Sequence, residues 1–196
     1  MRAFVRFVDQ LSLGIGHAFA WCIVILTLAI TWEVVARYAF RAPTVWAFDI
    51  SYMMYGALFF MAGAYTLSRG GHVRGDIFYR MWAPATQAKL DLVLYILFFF
   101  PGVLALVYAG FGQAAQSWRY GEVSVYSPAN IPVSPLRTLV PLGAALLALQ
   151  GVAEVCRCIL CIREGQWPRR LHDVVELEEQ ILQQHAARSA TPGGRP

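Results

Sequence analysis

Four long runs of uncharged, mostly apolar residues constrain the fold of this chain more than any other feature of its sequence. They cover residues 10–32, 50–68, 92–112 and 138–153. As α-helices, which rise ~1.5 Å per residue, the first three are long enough to cross a hydrocarbon layer of roughly 30 Å, whereas the fourth reaches only about 24 Å. Four membrane-spanning helices are therefore expected, the fourth of them completed by polar residues beside it.

Two charged residues come just after the fourth run. Glu154 and Arg157 lie where that helix must continue if it is to cross the bilayer. Long charged side chains near the end of a span can extend their charged groups toward the lipid headgroups. We expect both side chains to do so, which lets the fourth span reach from about residue 136 to residue 161.

The composition favours a membrane protein. Hydrophobic residues make up 58% and charged residues 14% of the 196 positions, against about 45–50% and about 25% in soluble domains. We predict an all-α membrane protein with four transmembrane helices and short interfacial helices near residues 1–9 and 76–82. The predicted transmembrane domain is 1–163, with spans at about 11–36, 47–67, 90–112 and 136–161, and the tail 164–196 is predicted to be partly amphipathic helix and then disordered.

Arginine and lysine are distributed unevenly between the two sides of the predicted spans. The connections on one side contain only Arg37, Arg41, Arg119 and Arg137 of the 16 Lys and Arg residues. Because positively charged connections tend to stay in the cytoplasm, this side is predicted to be the outer one, with both chain ends in the cytoplasm. The pattern also explains the net charge of +4, so nucleic-acid binding is not expected.

The interior of the predicted spans is almost without ionisable residues. Proteins that move ions or charged solutes usually keep such residues there, or carry helices broken by Gly and Pro. Only His17 lies well inside a span. We therefore expect that this chain alone neither couples ions nor binds a charged solute within the bilayer.

No residue pattern points to catalysis or to a cofactor. The chain lacks a phosphate-binding glycine loop and the serine motif of hydrolases. Cys158 and Cys161 share a helix face, but a zinc site would need further ligands, and no histidine follows nearby before His172. A haem would need two histidines at matched depth on facing helices, but His72, His172 and His185 lie in a loop and the tail. We expect neither an enzyme nor a cofactor or metal site. Besides a scaffold, two alternatives stay open: the anchor subunit of a membrane redox complex, and a self-sufficient small transporter.

Small residues recur at helical spacing in the second, third and fourth spans. Such faces let helices approach one another closely in lipid. We expect them to pack within the bundle or against a partner subunit. The interface candidates are Gly56, Gly63, Gly102, Ala105, Ala109, Ala148 and Gly151.

Two short segments combine charged and aromatic residues near the ends of spans. One reads Arg37-Tyr38-x-Phe40-x-x-Pro43-x-x-Trp46-x-x-Asp49, and the other is Gly63-Ala64 followed by His72-Val73-Arg74-x-Asp76. We interpret them as membrane-surface anchors and topology determinants. Asp49 is expected to fix the outer end of the second span, with Arg37 or Arg41 as its charge partner. The anchoring candidates are Arg37, Tyr38, Trp46, Asp49, His72, Arg74 and Asp76.

The order of these parts and the two motifs resemble the small membrane subunit of tripartite ATP-independent periplasmic (TRAP) transporters, the DctQ family. The similarity covers residues 10–163. The chain departs from the family pattern at three positions. Arg41 stands where asparagine is common, Asp49 where glutamate is common, and Gly75 where valine or isoleucine is usual.

The resemblance implies an accessory scaffold subunit of the bacterial inner membrane, bound to a large permease subunit that carries the substrate and sodium sites. A soluble periplasmic binding protein would deliver an organic acid to that permease. The resemblance further implies no cofactor in this chain and contact with membrane lipids. Arg119 and Glu122, in the second outer connection, are the candidates for contact with the docked binding protein.

Overall fold

The computed structural model describes residues 1–70 and 82–168. In these ranges the chain is helical apart from short connections, one of which pairs Val123 with Pro132 in an isolated β-bridge. The helices are α1 (Arg2–Ala20), α2 (Cys22–Tyr38), α3 (Ala47–Ser68), α4 (Pro84–Leu94), α5 (Phe100–Tyr120) and α6 (Ser134–Glu164). A five-residue π-helical turn, Tyr95–Phe99, joins α4 to α5.

Within residues 1–70 and 82–168, four helical segments are long and apolar enough to cross a membrane. Span 1 is Arg2–Tyr38, span 2 is Ala47–Ser68, span 3 is Pro84–Tyr120 and span 4 is Ser134–Glu164. They confirm the prediction of an all-α protein with four membrane-spanning helices. We call the end of the molecule that carries connections 39–46 and 121–133 the outer end, after the predicted orientation, and the opposite end the inner end.

Span 1 begins earlier than expected. Residues 2–9, expected as a separate interfacial helix, are the first turns of α1. Val5 and Val8 are buried there and pack against Ala153 of span 4, so protein rather than lipid headgroups covers this apolar face. The other expected interfacial helix, 76–82, lies outside the described residues except for Trp82, and so does the tail beyond residue 168.

Pro101 explains the π-helical turn in span 3. Proline has no N–H, and its ring crowds the carbonyl four residues earlier, here that of Leu97. Leu97 lies inside the wider turn Tyr95–Phe99, which ends with the N–H of Phe100 donating to the carbonyl of Tyr95. Span 3 therefore passes its proline without ending.

The four spans form an open layer in the order 1–2–4–3. Span 4 packs against spans 2 and 3, and span 1 packs against span 2. Through α1, span 1 also reaches span 4. Within the described part of the chain, span 3 makes no extensive contact with span 1 or span 2. Span 4 is therefore the central element of the molecule.

Spans 2 and 4 come close together at Gly143. A Cβ atom placed on this glycine would lie 2.6 Å from the backbone oxygen of Phe60. Because that oxygen belongs to the helix backbone, it cannot move aside as a flexible side chain would. The approach of the two spans therefore depends on a residue without a side chain at position 143.

Candidate functional site

Five polar side chains are buried together at the inner end, where α1 packs against α6. Arg157 forms ion pairs with Glu154 on its own helix and with Asp9 on α1. Gln150 Nε2 donates to Asp9 Oδ1 at 2.9 Å, and the Ser12 hydroxyl donates to Gln150 Oε1 at 2.8 Å. Each of the five residues is 6% exposed or less. We call this group the inner polar cluster.

The expectation that Glu154 and Arg157 extend toward the headgroups was wrong. Both lie inside the molecule, at 1% and 2% exposure. Opposite charges in contact compensate one another, and the hydrogen bond from Gln150 helps to satisfy Asp9. Because these ion pairs compensate both charges inside the protein, neither side chain needs to extend to the membrane surface. It also fixes the register of α1 against α6.

Asp49 joins the outer end of span 2 to the connection 121–133. The Ser124 hydroxyl donates to Asp49 Oδ1 at 2.5 Å, and the Ser127 hydroxyl donates to Oδ2. Asp49 is 1% exposed. The expected charge partner was Arg37 or Arg41. Two serine hydroxyls bind the Asp49 carboxylate instead, while Arg37 pairs with Glu33 on its own helix and Arg41 is exposed.

Two further ion pairs lie at the outer end. Glu33 accepts hydrogen bonds from Arg37 Nε and from the backbone N–H of Thr44, each at 2.9 Å, so it ties connection 39–46 to span 1. Glu122, a candidate contact for a binding protein, pairs with Arg137 of span 4 at 2.5 Å. Arg119, the other candidate, is exposed.

The remaining anchoring candidates lie in two places. Tyr38 and Trp46 are exposed at the outer end, where an aromatic belt would meet the membrane surface. His72, Arg74 and Asp76 lie outside the described residues, so their predicted roles stay predictions.

The interface candidates of spans 2 and 4 lie inside the layer. A Cβ atom on Gly56 would be 2.8 Å from the Leu136 side chain, and Gly63 and Gly151 also face a neighbouring span. Ala148 is half-buried on span 4. These small residues bring the spans of this chain together.

The interface candidates of span 3 are open to the surroundings. Gly102, Ala105 and Ala109 share one helix face by their spacing, and all three are exposed. A Cβ atom on Gly102 would meet nothing within 4 Å. Span 3 turns a different face, with the buried Val103 and Gly110, toward the rest of the molecule. We call Gly102, Ala105 and Ala109 the small-residue face of span 3.

In residues 1–70 and 82–168, no group of three or more His, Cys, Asp or Glu side chains is placed to hold a metal ion. His17 is exposed and lies against Tyr65, with the ring centroids 5.9 Å apart. Polar contacts join the spans within the layer, and the small-residue face of span 3 is exposed at its edge.

Sequence reasoning missed the inner polar cluster. Arg157 and Asp9 are 148 positions apart, and no local pattern in either segment indicates that the two residues pair. One signal was present in α1, where Asp9 and Ser12 lie at helical spacing from the buried Val5. Polar residues on the buried face of a helix require partners within the protein.

Comparison with known proteins gives one family. The model of the DctQ component of tripartite ATP-independent periplasmic transporters matches residues 26–161, more than half of the chain. A comparison with curated proteins gave no match. The matched range includes the outer part of span 1, the whole of spans 2 and 3 and most of span 4, and so covers most of the layer described above. The chain therefore belongs to the DctQ component family of the tripartite ATP-independent periplasmic transporters.

Proposed function

We propose that this chain is the accessory membrane subunit of a TRAP transporter in the bacterial inner membrane, where it binds and holds the large permease subunit. The permease then carries the substrate and sodium sites and takes up an organic acid that a periplasmic binding protein delivers. The small-residue face of span 3 is the observation that carries the partner-binding role. Neither alternative, a redox anchor or a self-sufficient transporter, gains a supporting observation.

Span 3 is the least covered of the four spans. Only 6% of its most apolar window is buried within the molecule, against 39% for span 4. Tyr108 and Phe111, on the same helix as the small-residue face, are 86% and 71% exposed. Small residues allow a neighbouring helix to approach, and large aromatic side chains supply contact area. Span 3 is thus suited to packing against a helix of the permease.

A groove next to span 3 extends this surface. It has a volume of about 500 Å³, lies between spans 2 and 3, and is lined by Leu106, Gly143 and Ala144 among others. Gly143 and Ala144 are buried positions of span 4, so they form the floor. A permease helix lying against span 3 can place an apolar side chain in this groove.

The connection 121–133 supplies a second contact at the outer end. Asp49 holds Ser124 and Ser127 in place, and Val125 and Tyr126 are 88% and 67% exposed. On this proposal the exposed connection and the neighbouring Arg119 meet the docked binding protein. Glu122 is less suited to that contact, because Arg137 already occupies its carboxylate.

The test is to purify the tagged chain from its native membrane in mild detergent and to identify the proteins that accompany it by mass spectrometry. The proposal predicts one large polytopic membrane protein in equal amount. The purified complex should also capture the binding protein, several-fold more weakly with Arg119→Glu and unchanged with the control Arg163→Glu, at an exposed arginine of the inner end. A chain recovered alone, stable and monodisperse, would contradict the proposal.

A further inference from the structure

A second groove lies at the outer end between α2 and α3. Its volume is about 570 Å³. Ile30, Val34 and Tyr55 on its walls are 47%, 49% and 60% exposed, so the groove is open along its side. The apolar lining includes Leu26, Ile30 and Val34 from α2, with Ala47, Phe48 and Tyr55 from α3.

The groove has the length of one leaflet of a bilayer. Its lining on α2 runs from Leu26 to Arg37, which is about 16 Å along the helix axis. The hydrocarbon layer is roughly 30 Å thick, so one leaflet is roughly 15 Å. A lipid acyl chain extends through one leaflet, so it matches the groove in length.

The outer end of the groove is polar. Glu33, Arg37 and Thr44 line it there. Exposed aromatic side chains surround this level of the molecule, with Tyr38, at 79% exposure, next to Arg37 in the sequence. Tyrosine and tryptophan gather at the headgroup level of membranes, so the polar end of the groove lies at that depth.

The Arg37 guanidinium is the group at this end that can bind an anion. It donates to Glu33 through Nε and Nη2, and the Arg37 side chain remains 56% exposed. A guanidinium has five N–H donors, so the donors that do not point to Glu33 are available to phosphate oxygens.

We propose that the groove between α2 and α3 binds one phospholipid of the outer leaflet, with an acyl chain along Leu26, Ile30 and Val34 and its phosphate on Arg37. The apolar length, the depth of the polar end and its exposed guanidinium each fit this occupant. The site needs only residues of this chain, so it does not depend on the proposed transporter role.

The test is native mass spectrometry of the purified chain in detergent, titrated with phosphatidylglycerol and, separately, with diacylglycerol of the same acyl chains. We expect one phosphatidylglycerol to bind, and diacylglycerol to bind more weakly because it has no phosphate. Arg37→Gln should weaken phosphatidylglycerol binding roughly tenfold. The control Arg119→Gln, at an exposed arginine outside the groove, should leave it unchanged.

A second variant keeps the test decisive if Arg37→Gln disturbs folding. Ile30→Trp fills the groove and should abolish binding of the lipid, whereas Leu28→Trp, at a position of α2 outside the groove and 65% exposed, should not. Equal binding of the two lipids to the native chain would overturn the proposal. So would phosphatidylglycerol binding that Ile30→Trp leaves intact. Loss of a co-purifying membrane protein in Ile30→Trp, with lipid binding unchanged, would assign the groove to a protein helix instead.

Discussion

Arg157 lies between two carboxylates in a region from which water and lipid are both excluded. It pairs with Asp9 and Glu154, and its own side chain is 2% exposed. Removing one partner of a buried ion pair leaves a charge without compensation, which costs more than the pair itself contributes. Replacing Arg157 leaves two carboxylates facing each other, so this residue should be the most sensitive member of the inner polar cluster.

We predict that Arg157→Leu lowers the free energy of unfolding by about 3–5 kcal/mol. The control Arg163→Leu, on the same helix but exposed, should change it by less than about 1 kcal/mol. Thermal unfolding in detergent, followed by circular dichroism of the helices, compares the two variants. Equal unfolding temperatures would show that the buried pairs do not hold α1 against α6.

For individual residues, the sequence indicated which charged side chains matter to the structure, but it did not indicate the partners of those side chains. Asp49, Glu154 and Arg157 were all singled out, but none was assigned its actual neighbour. Asp49 binds Ser124, which is 75 positions away. Such pairs form only after the helices have packed, so local spacing carries no information about them.

The helices were predicted more accurately than the residue partners, because the sequence pattern that indicates a helix is local. The apolar runs predicted four spans, and the four spans found among the described residues contain them. What the runs did not predict is the use of each small-residue face. Those of spans 2, 3 and 4 have the same pattern in the sequence, yet Gly151 faces Phe99 inside the molecule and Gly102 faces nothing within 4 Å. The order in which the spans pack decides which small-residue face is buried and which is exposed.

Gly143→Leu and Gly102→Leu should therefore have opposite effects. At Gly143 the new side chain meets the backbone of Phe60, and forced overpacking of this kind costs typically about 1–3 kcal/mol. At Gly102 the leucine has room, so the unfolding temperature of the isolated chain should stay the same or rise slightly, since leucine favours helix over glycine.

The two measurements are thermal unfolding of the isolated chain and recovery of the permease during purification. Gly102→Leu should reduce recovery of the permease without lowering the unfolding temperature of the isolated chain. Gly143→Leu should lower the unfolding temperature of the isolated chain. A destabilised Gly102→Leu chain would mean that this face packs internally. Unchanged permease recovery would mean that the face is not where the permease binds.

The whole molecule is a layer rather than a closed bundle. In a closed bundle of four helices each helix has two neighbours, but here span 3 has only span 4 among the described residues. An open layer leaves broad apolar faces to be covered by lipid or by another protein. One face carries a groove of one leaflet's length, and the far edge carries the small-residue face of span 3. The two surfaces are suited to different occupants, a phospholipid and a permease helix.

Photo-cross-linking in the native membrane tests the position of the permease most directly. A photoreactive amino acid is placed at Ala105, in the small-residue face of span 3, and in a separate variant at Leu28 of span 1. Illumination should join the Ala105 variant to one large polytopic membrane protein. The Leu28 variant should form no such product, although the Leu28 side chain is 65% exposed. A permease adduct from Leu28, with only lipid adducts from Ala105, would contradict the assignment of span 3 as the partner-binding edge.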